Sequence, residues 1–299
     1  MRTKPLLKTK NLITPIIIGN SPASYNSGLH IVSEKNLIDK LESILALRLN
    51  KIIIFGMPKI HDLYGSQASN NKGIVQTALK TIKENFDNKF QIIADVCICQ
   101  YNLSGHCGIL DQNNSVDNDK TLKLMSKISL SYAEAGADII APSSMMDGLV
   151  WSIRKKLDND GFNDTKIMSF SKQFSDLYTP FRLTTFKKYS KIDKSTYQVG
   201  YSNSREILKK VELDLLEGAD IITIKPSFGN LDLVNRVFDM FKCKIAVHHV
   251  SGEYTMLKIA SRVGLLEEYE WVLGYFACMI RAGADFIISY SAEEIAGLL

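Results

Sequence analysis

Two lysines and three cysteines carry most of the chemistry this sequence can do. Lys225 ends the run D-I-I-T-I-K-P at 220–226, and Lys172 ends I-M-S-F-S-K at 167–172. Apolar, β-rich runs of this kind read as parallel strands covered on both faces, with the lysine emerging at the strand end. Lysine is rarely buried without a partner, so each is either ion-paired or tuned for reaction. Where two such amines share a water-poor space, like charges disfavour double protonation, and a neutral amine can attack a carbonyl. Ion-pairing of both lysines to Asp95 or Glu253 is the alternative reading.

The cysteines give the second signal. Cys97, Cys99 and Cys107 lie in C-I-C-Q-Y-N-L-S-G-H-C-G, directly after a strand-like run, while Cys243 and Cys278 stand alone. With no sign of secretion, clustering of this kind favours a metal or catalysis over a disulfide framework. Three thiolates are soft donors suited to Zn²⁺, and a three-ligand site leaves the fourth position open for water or substrate. Small buried cysteines that only pack are the alternative. His106, between them, reads equally as a ligand or a loop residue.

These residues need elements to position them. Apolar runs fall at 13–18, 52–56, 92–97, 138–141, 167–171, 220–225, 244–250 and 285–290, eight in all. Amphipathic stretches of helical length separate most of them, among them Gly73–Phe86, Thr121–Glu134, Ser204–Glu217 and Glu267–Ala282. Three junctions repeat one signature, A-G-A-D-I-I, E-G-A-D-I-I and A-G-A-D-F-I-I, where a helix stops at glycine and a buried strand follows. Eight repeated βα units predict a single (β/α)8 TIM barrel over residues 1–299, an open doubly wound sheet being second choice. In such a barrel the chemistry sits at the strand ends, which offers Asp95, Ser143, Lys172, Lys225, Ser251 and Tyr290.

Composition narrows the class further. At 45% hydrophobic and 23% charged the chain has an ordinary globular balance, and no window approaches 18 uninterrupted apolar residues, so no membrane span is expected. The basic N-terminus lacks the apolar core of a signal peptide, and a cytoplasmic location is expected. A net charge of +4, spread along the chain, gives no nucleic-acid footprint; the densest basic run, 187–194, reads as a solvated loop.

The motifs D-V-C-I-C-Q-Y-x-x-x-G-H-C-G (95–108), A-P-S-x-M-M-D-G (141–148), I-R-K-K-L-D-x-x-G-F (153–162), I-M-S-F-S-K (167–172), P-F-R (180–182), Y-Q (197–198), G-A-D…K-P (218–226) and V-S-G-E-Y (250–254) occur in one order along nearly the whole chain. Together they closely resemble the porphobilinogen synthase, or 5-aminolevulinate dehydratase, family. The resemblance implies a lyase on a (β/α)8 barrel that condenses two molecules of 5-aminolevulinate into porphobilinogen in tetrapyrrole biosynthesis. It implies Schiff-base roles for Lys225 and Lys172, and zinc on Cys97, Cys99 and Cys107. It implies an active-site lid over about 178–200 in which Arg182 and Lys194 hold one substrate carboxylate with Phe181 and Gln198 beside them, while Ser251 and Tyr290 hydrogen-bond the other.

The chain departs from the family pattern at several positions. Lys172 falls into place only with one residue deleted before it. Ser104 stands for His, Ser144 for Asp, Leu149 for Arg, Lys194 for Arg and His248 for Tyr. The family's long arm before the first strand is expected to be shortened here to residues 1–11. A homo-oligomer is expected, an octamer being the family habit. The family's outer magnesium site is not expected, because Lys209 and Lys210 occupy the helix where its carboxylate would stand. A Schiff-base aldolase, or an eroded barrel that binds zinc without turnover, are the alternatives.

Overall fold

The computed structural model describes residues 7–19, 23–24, 29–174 and 193–299, with only the backbone described at 23–24 and 172–174. Among the described residues there are eleven strands: β1 Leu12–Gly19, β2 Ala23–Ser24, β3 His30–Val32, β4 Lys51–Met57, β5 Gln91–Val96, β6 Ile139–Pro142, β7 Lys166–Phe174, β8 Val199–Gly200, β9 Ile221–Lys225, β10 Lys244–His249 and β11 Phe286–Ser289. Eight of them, β1-β4-β5-β6-β7-β9-β10-β11, pair in parallel, and β11 returns to β1 with Leu12 opposite Ile287. The sheet is therefore a closed barrel, which leaves no open edge, and the open-sheet alternative falls. Helices such as Ile74–Phe86, Asn118–Glu134, Ser204–Leu216 and Glu268–Ala282 lie between successive strands, close to the stretches expected from periodicity.

Strand alternation sorts the apolar residues into two cores. Ile13, Ile53, Ile93, Ile139, Met168, Phe170, Ile221, Ala246 and Ile288 fill the barrel interior. The other face of each strand packs outward on the helices, through residues such as Ile52, Ile92, Ile167, Ile222 and Ile245. Both faces are covered, which is why the strands read as continuous apolar runs.

The repeated G-A-D junctions do more than stop helices. Asp138 donates its N–H to Ile92 O at 2.9 Å and accepts from Ile92 N through its carboxylate at 2.7 Å. Asp220 grips Ile167 in the same two ways, at 2.9 and 2.8 Å, and Asp285 grips Ile245 at 2.8 and 2.9 Å. Each aspartate thus pins the start of its own strand to the neighbouring strand and sets the register. The glycine before it has φ of +105° at Gly136 and +115° at Gly283, and a Cβ on Gly283 would lie 2.6 Å from the Phe238 side chain. A buried polar tie adds to this on β7: Asp214, on helix Ser204–Leu216, accepts from Ser169 Oγ and pairs with Lys210.

Candidate active site

The two lysines emerge at the same level of the barrel. In the parallel pairing of β7 with β9, Met168 lies opposite Ile221, Phe170 opposite Thr223 and Lys172 opposite Lys225. Position 172 keeps the alternation of Met168 and Phe170, which belong to the interior, so the missing residue has not put the strand out of phase with Lys225. Lys225 is partly buried and its Nζ stands 5.7 Å from the centroid of the Phe170 ring.

The thiols meet beyond the end of β5. The Sγ atoms of Cys97, Cys99 and Cys107 all lie within 4.8 Å of one another, with Cys97 and Cys99 at 3.2 Å. Bringing Cys107 back across ten residues requires a tight loop, and buried Asn102 builds it. Its N–H and that of Tyr101 both reach Ile98 O at 2.9 Å. Its side chain accepts from Gly105 N at 2.6 Å and donates to His106 O at 2.9 Å, while Gly105 takes a φ of +70°. Tyr197 closes the far side, its hydroxyl 3.2 Å from both His106 Nδ1 and Cys107 N. His106 therefore faces Tyr197, while the three sulfurs converge without it.

The electrostatics suit a cation. Cys97 is pushed well above its ordinary thiol range by the hydrogen bonds of Cys107 and Cys99 and by burial; Cys99 is raised too, chiefly through Cys107. Three thiols this close cannot all ionise unless a cation takes the place of their protons. The donor set is all sulfur, which fits a soft or borderline divalent metal. Lys194, buried, donates to Cys107 Sγ at 3.5 Å and draws Cys99 back downward. Among the residues expected to bind substrate, Lys194 thus stands beside the thiols.

The remaining expected residues distribute as follows. Asp95 and Ser143 are buried at the ends of β5 and β6, with Ser143 N–H bonded to Val96 O at 3.1 Å. Burial, then the charge of Asp95, pushes the Tyr290 hydroxyl upward, so it keeps its proton as a donor. Its ring lies 5.9 Å from that of Tyr254. Ser251 opens helix Ser251–Arg262 and is partly buried, and Gln198 is buried with no partner for its Nε2 among the described residues. Ser144 is buried, and its hydroxyl likewise has no partner among the described residues. Phe181, Arg182 and most of the expected lid lie outside the described residues. Asn102 and Tyr197 are the residues that sequence reasoning passed over. Only the quoted Y-Q pair pointed near Tyr197.

The family model and the curated relatives agree on one family. The family model described as delta-aminolevulinic acid dehydratase matches residues 1–298. A curated protein of that name from Helicobacter pylori is 41% identical over 300 residues, covering 98% of this chain and 92% of its own. One from Methanothermus sociabilis is 44% identical over 269 residues, 90% of this chain and 83% of its own. Among solved structures, the delta-aminolevulinic acid dehydratase of Toxoplasma gondii, in complex with porphobilinogen, is 32% identical and superposes with a TM-score of 0.95 over 100% of this chain and 87% of its own.

Proposed function

The chain belongs to the delta-aminolevulinic acid dehydratase family, and from that premise we infer that it is a porphobilinogen synthase, a lyase condensing two molecules of 5-aminolevulinate with loss of two waters. The observation that carries the reading onto these residues is the pairing of Lys172 with Lys225 across adjacent strand ends. Lys225 as a free amine attacks the ketone of one substrate molecule, and departure of water leaves an iminium. That group draws electrons from the neighbouring C–H, so a proton can leave and a C–C bond can form near neutral pH. Lys172 takes the ketone of the second molecule in the same way. Ser251 and the protonated Tyr290 are donors for one substrate carboxylate; Arg182 and Lys194 receive the other, with Phe181 and Gln198 beside them. Asp95, buried between strand ends, balances the amines and is a candidate for carrying the proton. Ser143 adds a hydroxyl to the same wall.

Cys97, Cys99 and Cys107 are the residues that would hold a metal, for which we propose zinc. A bound zinc ion supplies Lewis-acid polarisation of an oxygen in its open position. Lys194, beside Cys107, then has two tasks in reach: it offsets thiolate charge and offers a point charge to a substrate carboxylate. The reading extends to one barrel domain working in the cytoplasm as a homo-oligomer. Support for assembly comes from the exposed apolar residues Met256 and Ile259 on helix Ser251–Arg262, followed just past its end by Val263 and Leu265.

The test is porphobilinogen formation from 5-aminolevulinate by purified protein, with and without zinc, beside the Lys225→Ala variant. Product that needs zinc and vanishes in the variant is expected. No product from folded, zinc-loaded protein would refute the activity and leave a barrel that binds without turnover.

A further inference from the structure

Glu253 is buried in the first turn of helix Ser251–Arg262, where a charge requires partners. Sequence suggests a lysine for that role. Among the described residues, the carboxylate receives donors from two segments of chain. Oε2 accepts from Val250 N at 2.7 Å, Ser227 Oγ at 2.8 Å and Ser227 N at 3.4 Å, and Oε1 accepts from Phe228 N. Val250 immediately follows β10 and precedes Ser251. Ser227 and Phe228 follow Lys225 by two and three residues. A single carboxylate therefore joins the loop leaving β9 to the loop leaving β10.

The surroundings hold this clamp in place. Tyr275 donates its hydroxyl to Ser227 Oγ at 3.2 Å, and that hydroxyl passes its own hydrogen to Glu253. Asn230 closes the loop from the other side, with Nδ2 on Pro226 O at 2.9 Å and its N–H on Ser227 O at 3.2 Å. These four bonds all run toward its oxygens, which suits the ionised, acceptor-only form. Burial pushes the carboxyl upward and these bonds pull it back.

We propose that Glu253 is a positioning residue for the reaction: by tying the loop after Lys225 to the strand end before Ser251, it fixes the imine-forming amine relative to the hydroxyl that binds the substrate carboxylate. This rests on the function proposed above for those two residues. Glu253 does not touch substrate; it acts through the backbone on either side of the substrate. A displacement of about 1 Å at a reacting group can cost roughly 100-fold in rate, so a rigid tie between two substrate contacts has catalytic value beyond stability.

The experiment compares wild type with Glu253→Gln and Ser227→Ala, all zinc-loaded and checked for folding by circular dichroism and thermal melting. Each is exposed to graded 5-aminolevulinate and briefly to borohydride, which fixes the imine, and labelling of Lys225 is read by mass spectrometry; kcat and KM are measured alongside. Glutamine turns an N–H donor toward backbone N–H donors, so about a tenfold rise is expected in KM and in the concentration that half-labels Lys225, the size of one lost charge-assisted bond. Ser227→Ala, which keeps the carboxylate and removes one donor, should shift both the same way by about threefold. A merely structural role would lower the melting temperature and leave half-labelling of the folded protein unmoved. Wild-type half-labelling in folded Glu253→Gln overturns the proposal, as does wild-type half-labelling in Ser227→Ala should the glutamine variant not fold. Failure of the wild-type chain itself to label at Lys225 would overturn the proposed function, and the clamp with it.

Discussion

His249 gives a pH dependence that can be worked through from its surroundings. It ends β10 with no exposed surface, its Nδ1 2.9 Å from Ser289 Oγ and its Nε2 without a partner among the described residues. The Tyr275 and Phe276 rings lie edge-on at 6.0 and 5.8 Å. Nothing there favours an imidazolium, and burial pulls the pKa from 6.5 down to about 3. The unfolded chain regains a value near 6.5, so between pH 6.5 and about 3 the unfolded state binds a proton that the folded state refuses. Stability from this residue is therefore complete above pH 6.5 and lost progressively as the pH falls toward 3. Each unit costs about 1.4 kcal/mol, so pH 5.0 should cost ~2 kcal/mol relative to pH 7.5. Urea unfolding of metal-stripped wild type and His249→Gln, at both pH values and one protein concentration, isolates it. The variant starts less stable, because Ser289 Oγ loses the imidazole and keeps the bond from Ser291 N, but its loss between the two pH values should be about 2 kcal/mol smaller than that of wild type. Equal losses in the two proteins would refute the account of a neutral, buried imidazole.

Two further outcomes follow from the metal site and the barrel seam. Cys107→Ala leaves two thiols, so zinc affinity measured by chelator competition should fall by more than the ~100-fold that losing an outer-sphere partner costs; retention of wild-type affinity would remove Cys107 from the ligand set. Asp138→Ala frees the buried Ile92 N–H and strips Lys83 of its carboxylate, so the urea midpoint should drop by an amount worth about 1–3 kcal/mol at unchanged slope, and no change would show that the G-A-D aspartate is dispensable to register.

The difference between what the sequence made legible and what it hid follows the distance along the chain over which each signal acts. The barrel strands are built from β-branched runs covered on both faces, so each announces itself within a few residues, and glycine marks the helix stops just as locally. The aspartate after each glycine reads as nothing in particular, because the amide it pins lies 46, 53 or 40 residues upstream on another unit. The same boundary crosses the site. Both lysines were visible as charges ending apolar strands, yet only the pairing of β7 with β9 sets them opposite each other. The cysteines were visible from 97–99–107 spacing, whereas the hydroxyl that holds Cys107 in place comes from Tyr197, 90 residues on. Glu253 shows what the hidden part can hold. A buried carboxylate near two lysines invites an ion pair, because side chains are the only partners a sequence displays. Backbone N–H groups at the ends of two strands also reach it, and they become available only once the barrel has brought those ends together. Residues that do the chemistry carry their own signature in this chain, while residues that aim them borrow theirs from a neighbouring unit.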